Sequence, residues 1–177
     1  MRPFIQFSSR NIQKSNEYYL AFQIGDDCFA ANFPKIAGFS KEYQFLPYKG
    51  NLPFIAGLAT VNNENIPVID LKNKIGMSSN LCINNGKIIV IETEVHFNTL
   101  KFAFLYDTLG DAFELSPKKI LPVPNIGKQF TSGSIKGAHV IENQCIMLID
   151  LDKVFSIDDL IDIKVTYPEK VKKLVSF

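Results

Sequence analysis

Two histidines, three cysteines and a few grouped aspartates are the side chains here with the chemistry for a metal or catalytic site. A zinc site draws several donors onto one small ion, which shows in sequence as short spacings such as H-x₃₋₅-H or C-x-x-C. His96 and His139 have no Cys or His neighbour at such a spacing. Cys28, Cys82 and Cys145 lie singly in or beside apolar runs, so each is expected to be a reduced, small buried hydrophobe. Ser132-Gly133-Ser134 lacks the G-x-S-x-G context that exposes a nucleophile. Gly86-Lys87 and Gly127-Lys128 are not followed by Ser or Thr and have no glycine five positions earlier, so neither forms a phosphate loop. Carboxylates gather at Asp26-Asp27, at Asp150 and Asp152, and at Asp158-Asp159 with Asp162. They lack EF-hand spacing, and the first and last groups sit where a turn or a helix N-terminus favours an acceptor. No catalysis, metal or cofactor is expected.

The elements that hold these residues read as short strands. Tyr18 to Ile24 turns at Gly25-Asp26-Asp27 into Cys28 to Phe33, and Phe54 to Val61 turns at Asn62 to Asn65 into Ile66 to Leu71. Gly25 suits positive φ, and asparagine tolerates it better than most residues. Lys87 to Ile91 and Leu100 to Tyr106 are rich in β-branched and aromatic residues, with Glu92 to Thr99 expected as a polar loop between them. A further hairpin joins Ala138–Ile141 to Cys145–Ile149 through Glu142-Asn143-Gln144. Leu121-Pro122-Val123-Pro124 reads as an extended connector. Ser156 and Asp159 are spaced to cap one late helix, with Ile157, Leu160 and Ile161 as its inner stripe. The ends read as tails, the last one basic at Lys170, Lys172 and Lys173.

Self-similarity is the most informative pattern. Ile55-Ala56-Gly57 runs on to Asp70-Leu71, and Ile135-Lys136-Gly137 runs on to Asp150-Leu151, with no gap needed between the two series. Val61 matches Ile141, Asn63 matches Asn143, Ile66 matches Ile146 and Ile69 matches Ile149. Each copy is a strand, a polar turn and a strand ending in an acid and a leucine. One such hairpin cannot bury both its faces, so two related β-subdomains packed together are expected.

Composition narrows the function classes. Apolar residues make up 46% of the chain and its formal net charge is +1. Arginine is confined to Arg2 and Arg10, so the basic groove that a base-stacking barrel needs is not in evidence, and no nucleic acid is expected. The N-terminus has no continuous apolar stretch of signal-peptide length, and no apolar run approaches the roughly 20 residues of a membrane span. A cytoplasmic location is expected, with any membrane association indirect.

The ordered motifs resemble one family. Tyr19-Leu20-Ala21-Phe22-Gln23-Ile24-Gly25-Asp26-Asp27-Cys28-Phe29, Phe54-Ile55-Ala56-Gly57 and Ile66-Pro67-Val68-Ile69-Asp70-Leu71 are similar to the first half of CheW-like chemotaxis coupling proteins. Lys87 to Ile91, Asp107, Phe113-Glu114-Leu115-Ser116, Ile120-Leu121-Pro122-Val123-Pro124, Ile135-Lys136-Gly137 and Leu148 to Val154 are similar to the second half. The resemblance implies an all-β fold: two five-stranded SH3-like β-barrel subdomains over residues 18–160, a short C-terminal helix, and tails over 1–17 and 161–177. It implies a non-catalytic scaffold without a cofactor. Its partners would be the regulatory domain of a CheA-like histidine kinase and the cytoplasmic tips of methyl-accepting chemoreceptors, which would recruit it to membrane-associated arrays. A paralogous system such as type IV pilus (twitching) signalling is the alternative.

Carried over by position, Ile36, Leu109 and Ala112 would face the receptor, and Asn62, Asn63 and Ile88 the kinase. The chain departs from the family where Asn-Leu-Arg-Gly is usual, reading Thr60-Val61-Asn62-Asn63, and Gly38 stands where an acid is common. Asparagine cannot copy the planar, multi-donor fork of arginine.

Overall fold

The computed structural model describes residues 15–80, 86–95, 97–123, 133–154 and 156–166. Among these, eleven strands form two sheets. In chain order they are β1 (Glu17–Ile24), β2 (Asp27–Asn32), β3 (Ile36–Ser40), β4 (Gln44–Pro47), β5 (Ile55–Val61), β6 (Glu64–Ile69), β7 (Lys87–Val95), β8 (Asn98–Tyr106), β9 (Thr108–Leu115), β10 (Ile135–Ile141) and β11 (Gln144–Ile149). Three short helices follow hairpins or close the fold: α1 (Leu71–Lys74), α2 (Leu151–Val154) and α3 (Ile157–Thr166). The first sheet has the order β10-β11-β2-β1-β9 and the second β3-β7-β8-β6-β5-β4. The all-β expectation of two β-subdomains is met, with β4 giving the second sheet a sixth strand.

The repeat is visible atom by atom. Its hairpins, β5–β6 and β10–β11, each carry a register shift between the isoleucine and the glycine, Ile55/Gly57 and Ile135/Gly137. The amide of Asp70 donates to the Phe54 carbonyl at 2.8 Å, and that of Asp150 donates to the Ser134 carbonyl at 2.8 Å. Each aspartate then opens a single helical turn; the Asp70 carboxylate accepts from the Asn73 amide at 3.1 Å. Similarity extends to whole sheets, because β5-β6-β8-β7-β3 and β10-β11-β2-β1-β9 share one arrangement, including the parallel contacts β6–β8 and β11–β2. The second half is built from one continuous stretch and the first from both ends of the domain, so one is a circular permutation of the other.

Alternation along the strands explains why their sequences read as unbroken apolar runs. Ile89, Ile91, Phe102, Phe104 and Tyr106 of the second sheet share one cluster with Phe22, Phe29, Met147 and Ile149 of the first, and this cluster joins the halves. Opposite faces fill two smaller clusters. One holds Ile88, Val90, Ala103 and Leu105 with Ile66 and Val68. The other holds Tyr19, Cys28, Ala30, Leu115, Ile146 and Leu148.

Several local expectations change. Glu92 to Thr99 is no polar loop: β7 and β8 stay paired through Glu92–Lys101, Thr93–Leu100, Glu94–Thr99 and Val95–Asn98. Buried Thr93 and Leu100 stop the polar character from breaking the ladder. Cys28 is buried as expected, whereas Cys145 is exposed because it lies next to the β10–β11 turn, before β11 enters the core at Ile146. Ser156 and Asp159 do form the reciprocal cap, at 2.8 and 3.2 Å. Ile161 is exposed rather than on the inner stripe, since the helix turns Asp159 inward to meet Lys74 at 3.4 Å. This helix runs from Ile157 to Thr166, past residue 160. Cys82, His96, Pro124, Gly127, Lys128, Ser132 and the basic residues Lys170, Lys172 and Lys173 lie outside the described residues, as does the side chain of Leu160.

Both repeat hairpins close through tight turns with positive φ at two successive residues, Asn62 (50°) with Asn63 (64°), and Glu142 (49°) with Asn143 (65°). Glutamate is the poorer occupant of that backbone region. Glu142→Asn, copying Asn62, should stabilise the protein by about 0.5–1 kcal/mol, read as a higher urea midpoint at an unchanged slope.

Candidate functional site

The six carried-over positions fall into two groups. Leu109 and Ala112 lie on β9, the edge strand of the first sheet, and both are exposed. Strand periodicity alone would put residues three apart on opposite faces. β9, however, holds an extra residue between them, so that Leu109 pairs with Phe22 and Ala112 with Leu20. This bulge brings both side chains to one face, the one on which Phe22 meets the other sheet. Ile36 starts β3, the matching edge strand of the second sheet, pairs with Ile91 and is half-buried against the same core. These three positions therefore sit on inter-sheet faces of two equivalent edges.

Asn62 and Asn63 form the exposed β5–β6 turn in the second sheet. Ile88 is fully buried in the cluster with Val90, Ala103 and Leu105. It offers no surface of its own and supports β7 from within.

Beside Leu109, a groove of about 320 Å³ runs between β9 and the β10–β11 hairpin. Phe113, Ile141 and Ile146, from the face opposite the inter-sheet core, supply its apolar wall, with Leu109 at its border and Asp111 and Glu142 as its polar rim. Side chains tie the two edges of this sheet together. His139 of β10 stacks on Phe113 of β9 at 5.5 Å. Lys136 of β10 reaches Glu17 of β1 at 2.6 Å and the Tyr19 hydroxyl at 3.1 Å. Burial first, then the Glu17 hydrogen bond, lifts the Tyr19 phenol above its ordinary value. For Lys136 burial acts downward, but the bonds to Glu17 and Tyr19 outweigh it and hold the ammonium above its usual value. Both groups thus keep their usual protonation at neutral pH, and nothing in this cluster is poised for proton transfer.

At the other sheet, Lys101 stands next to the β5–β6 turn, 3.0 Å from Glu64 and 3.6 Å from Glu92. The Glu64 hydrogen bond is the main cause that raises its pKa. A neighbouring polar cleft carries Lys35, Thr93 and Asp152, with Lys35 and Thr93 each donating to Asp152 at 2.5 Å. Burial would raise that carboxyl; the two donors prevail and hold it below its ordinary value. Such satisfied ion pairs and hydrogen bonds fasten elements together. Among the described residues, no three His, Cys, Asp or Glu side chains converge as a metal site.

Beyond Asn62 and Asn63, motif resemblance does not mark this end of the second sheet. Lys101 and the tip of the β7–β8 hairpin lie beside or within the stretch expected as a polar loop, although Glu92-Thr93-Glu94-Val95 alternates as a strand does.

Comparisons with known proteins agree with this architecture. The family model for the CheW-like domain matches residues 18–159. Over 148 residues the chain is 23% identical to "Chemotaxis protein CheW" of Rhizobium meliloti, covering 84% of this chain and 93% of that one. It is 21% identical over 143 residues to "Chemotaxis protein CheW" of Klebsiella aerogenes, covering 80% and 83%. Among solved structures, scaffolding protein TtCheW from Thermoanaerobacter tengcongensis matches with a TM-score of 0.65 at 18% identity, over 81% of this chain and 95% of that one. At that identity the likeness is one of fold.

Proposed function

Because the chain belongs to the CheW-like domain family, we propose that it is a non-catalytic coupling adaptor, holding a CheA-type kinase regulatory domain and the cytoplasmic tip of a chemoreceptor in one complex. The observation that carries this reading is the family match from residue 18 to 159, which spans nearly all of both sheets. Relatives along that length are named chemotaxis proteins. The surfaces suit the task. Leu109 and Ala112, on one bulged edge, are the receptor-facing positions of the first sheet and Ile36 that of the second, and a groove lined by apolar side chains borders Leu109. The Asn62-Asn63 turn is the kinase-facing site, with Ile88 supporting the sheet behind it. No helix among the described residues is long and apolar enough to cross a membrane, so recruitment to a receptor array would run through the receptor.

The full chain should co-purify with the kinase regulatory domain and with the receptor tip of its own organism. Leu109→Asp should weaken receptor binding about tenfold or more, by placing a charge against an apolar contact, and leave kinase binding and the circular dichroism spectrum unchanged. Equal receptor affinity in this variant would remove Leu109 from the contact. A lost spectrum would make Leu109 a structural residue.

A further inference from the structure

β6 and β8 run parallel in the second sheet, with Val68 beside Ala103 and Ile69 beside Phe104. Each is the second arm of a hairpin, so the β5–β6 and β7–β8 turns open at the same end of the sheet. Lys101 links them there through Glu64 and Glu92. From the pair Val90–Ala103, the β7–β8 hairpin continues through six rungs to Val95–Asn98. The matching hairpin of the first sheet closes after four, from Ala21–Ala30 to Ile24–Asp27. At the tip of the longer hairpin stands Phe97, fully exposed at 105% and with φ of 66°.

A phenyl side chain is a poor occupant of the left-handed region, and exposing it to water adds nothing to folding. The other hairpin turns with positive φ use Gly25, Asn62-Asn63 and Glu142-Asn143. Phe97 is the one apolar residue with positive φ among the described residues. Backbone strain on a side chain with no role in the core points to a functional contact, and buried aromatics supply much of the binding energy at protein interfaces.

We propose that Phe97 is an anchor residue by which this end of the second sheet docks on the kinase regulatory domain, its ring entering an apolar pocket of that partner. The proposal rests on the coupling role above and adds to the Asn62-Asn63 turn the neighbouring hairpin tip as part of the same contact. Glu64, Glu92 and Glu94, all exposed around the tip, disfavour an anionic membrane as the occupant.

The test is calorimetric titration of the full chain with the regulatory domain of the CheA-type kinase of its own organism. Phe97→Asn should weaken binding at least tenfold while the thermal midpoint stays equal or rises, because asparagine suits this turn better than phenylalanine. Should that variant lose its midpoint, Phe97→Gly is measured in its place. Unchanged affinity in a folded variant overturns the anchor and leaves the coupling role standing. No binding by the unaltered chain overturns both. Phe97-dependent sedimentation with vesicles of phosphatidylcholine and phosphatidylglycerol, with kinase affinity unchanged, would assign the tip to a membrane and likewise reject the proposal.

Discussion

Phe104→Ala should lower the stability by about 3–5 kcal/mol, the range for removing a fully buried phenylalanine from a core. Phe104 has no exposed surface. Its ring lies 6.3 Å from Phe22 of the first sheet and 5.4 Å from Phe102 on its own strand. The neighbours cannot collapse into the space, since each belongs to a hydrogen-bonded strand with its opposite face packed in another cluster. The result should be a fall in Tm of about 6–20 °C for a chain of this size. As the cluster joins both sheets, circular dichroism and tyrosine fluorescence should report one shared urea transition, shifted as a unit. An unaltered midpoint, or two separate transitions in the parent chain, would refute the joint core.

Gly57→Ala and Gly137→Ala should each cost about 2–3 kcal/mol. A Cβ on Gly57 would lie closer than 3.0 Å to the Leu46 carbonyl oxygen and to the Phe45 ring. On Gly137 it would lie equally close to the Leu121 carbonyl oxygen and to Ile120. The crowding atoms correspond, because Leu46 pairs with Leu58 as Leu121 bridges to Ala138. In each half a neighbouring segment crosses the first strand of the repeat hairpin at its bulge, and only a residue without a side chain leaves room for that carbonyl. Relief requires backbone to move. Urea denaturation of both variants measures the effect; a midpoint that moves in neither would mean that the crossing chains yield freely.

These glycines show how far the local sequence reached. Their ungapped spacing to Asp70 and Asp150 marked two related hairpins, and the reason for a glycine is a carbonyl from a segment that no local pattern identifies. Turn chemistry was equally legible: Asn62-Asn63 and Asn143 are residues that accept positive φ, and the structure uses them so. Ser156 and Asp159 announced their reciprocal cap. The proposed contact positions were legible only through motif resemblance. Leu109 and Ala112 look as if they belong on opposite faces until the bulge in β9 is known, and Ile88 cannot be told from a surface isoleucine by its type.

What the sequence determined by itself is eight of the eleven strands, the hairpin turns and the helix cap, because these depend on side chains within a few residues of one another. By contrast, β3, β4 and β9 carry no such local pattern, and the outer rungs of β7 and β8 read as a polar loop. Tertiary structure decided which strands became neighbours. It set β2 beside β11 and β1 beside β9, so that the two ends of the domain complete one sheet around an uninterrupted second one. It also carried β7 and β8 two rungs further than their counterparts and left Phe97 at the tip. Backbone hydrogen bonds are the same for every pair of strands, so partner choice rests on packing both faces of each sheet at once, and that is settled by the whole chain.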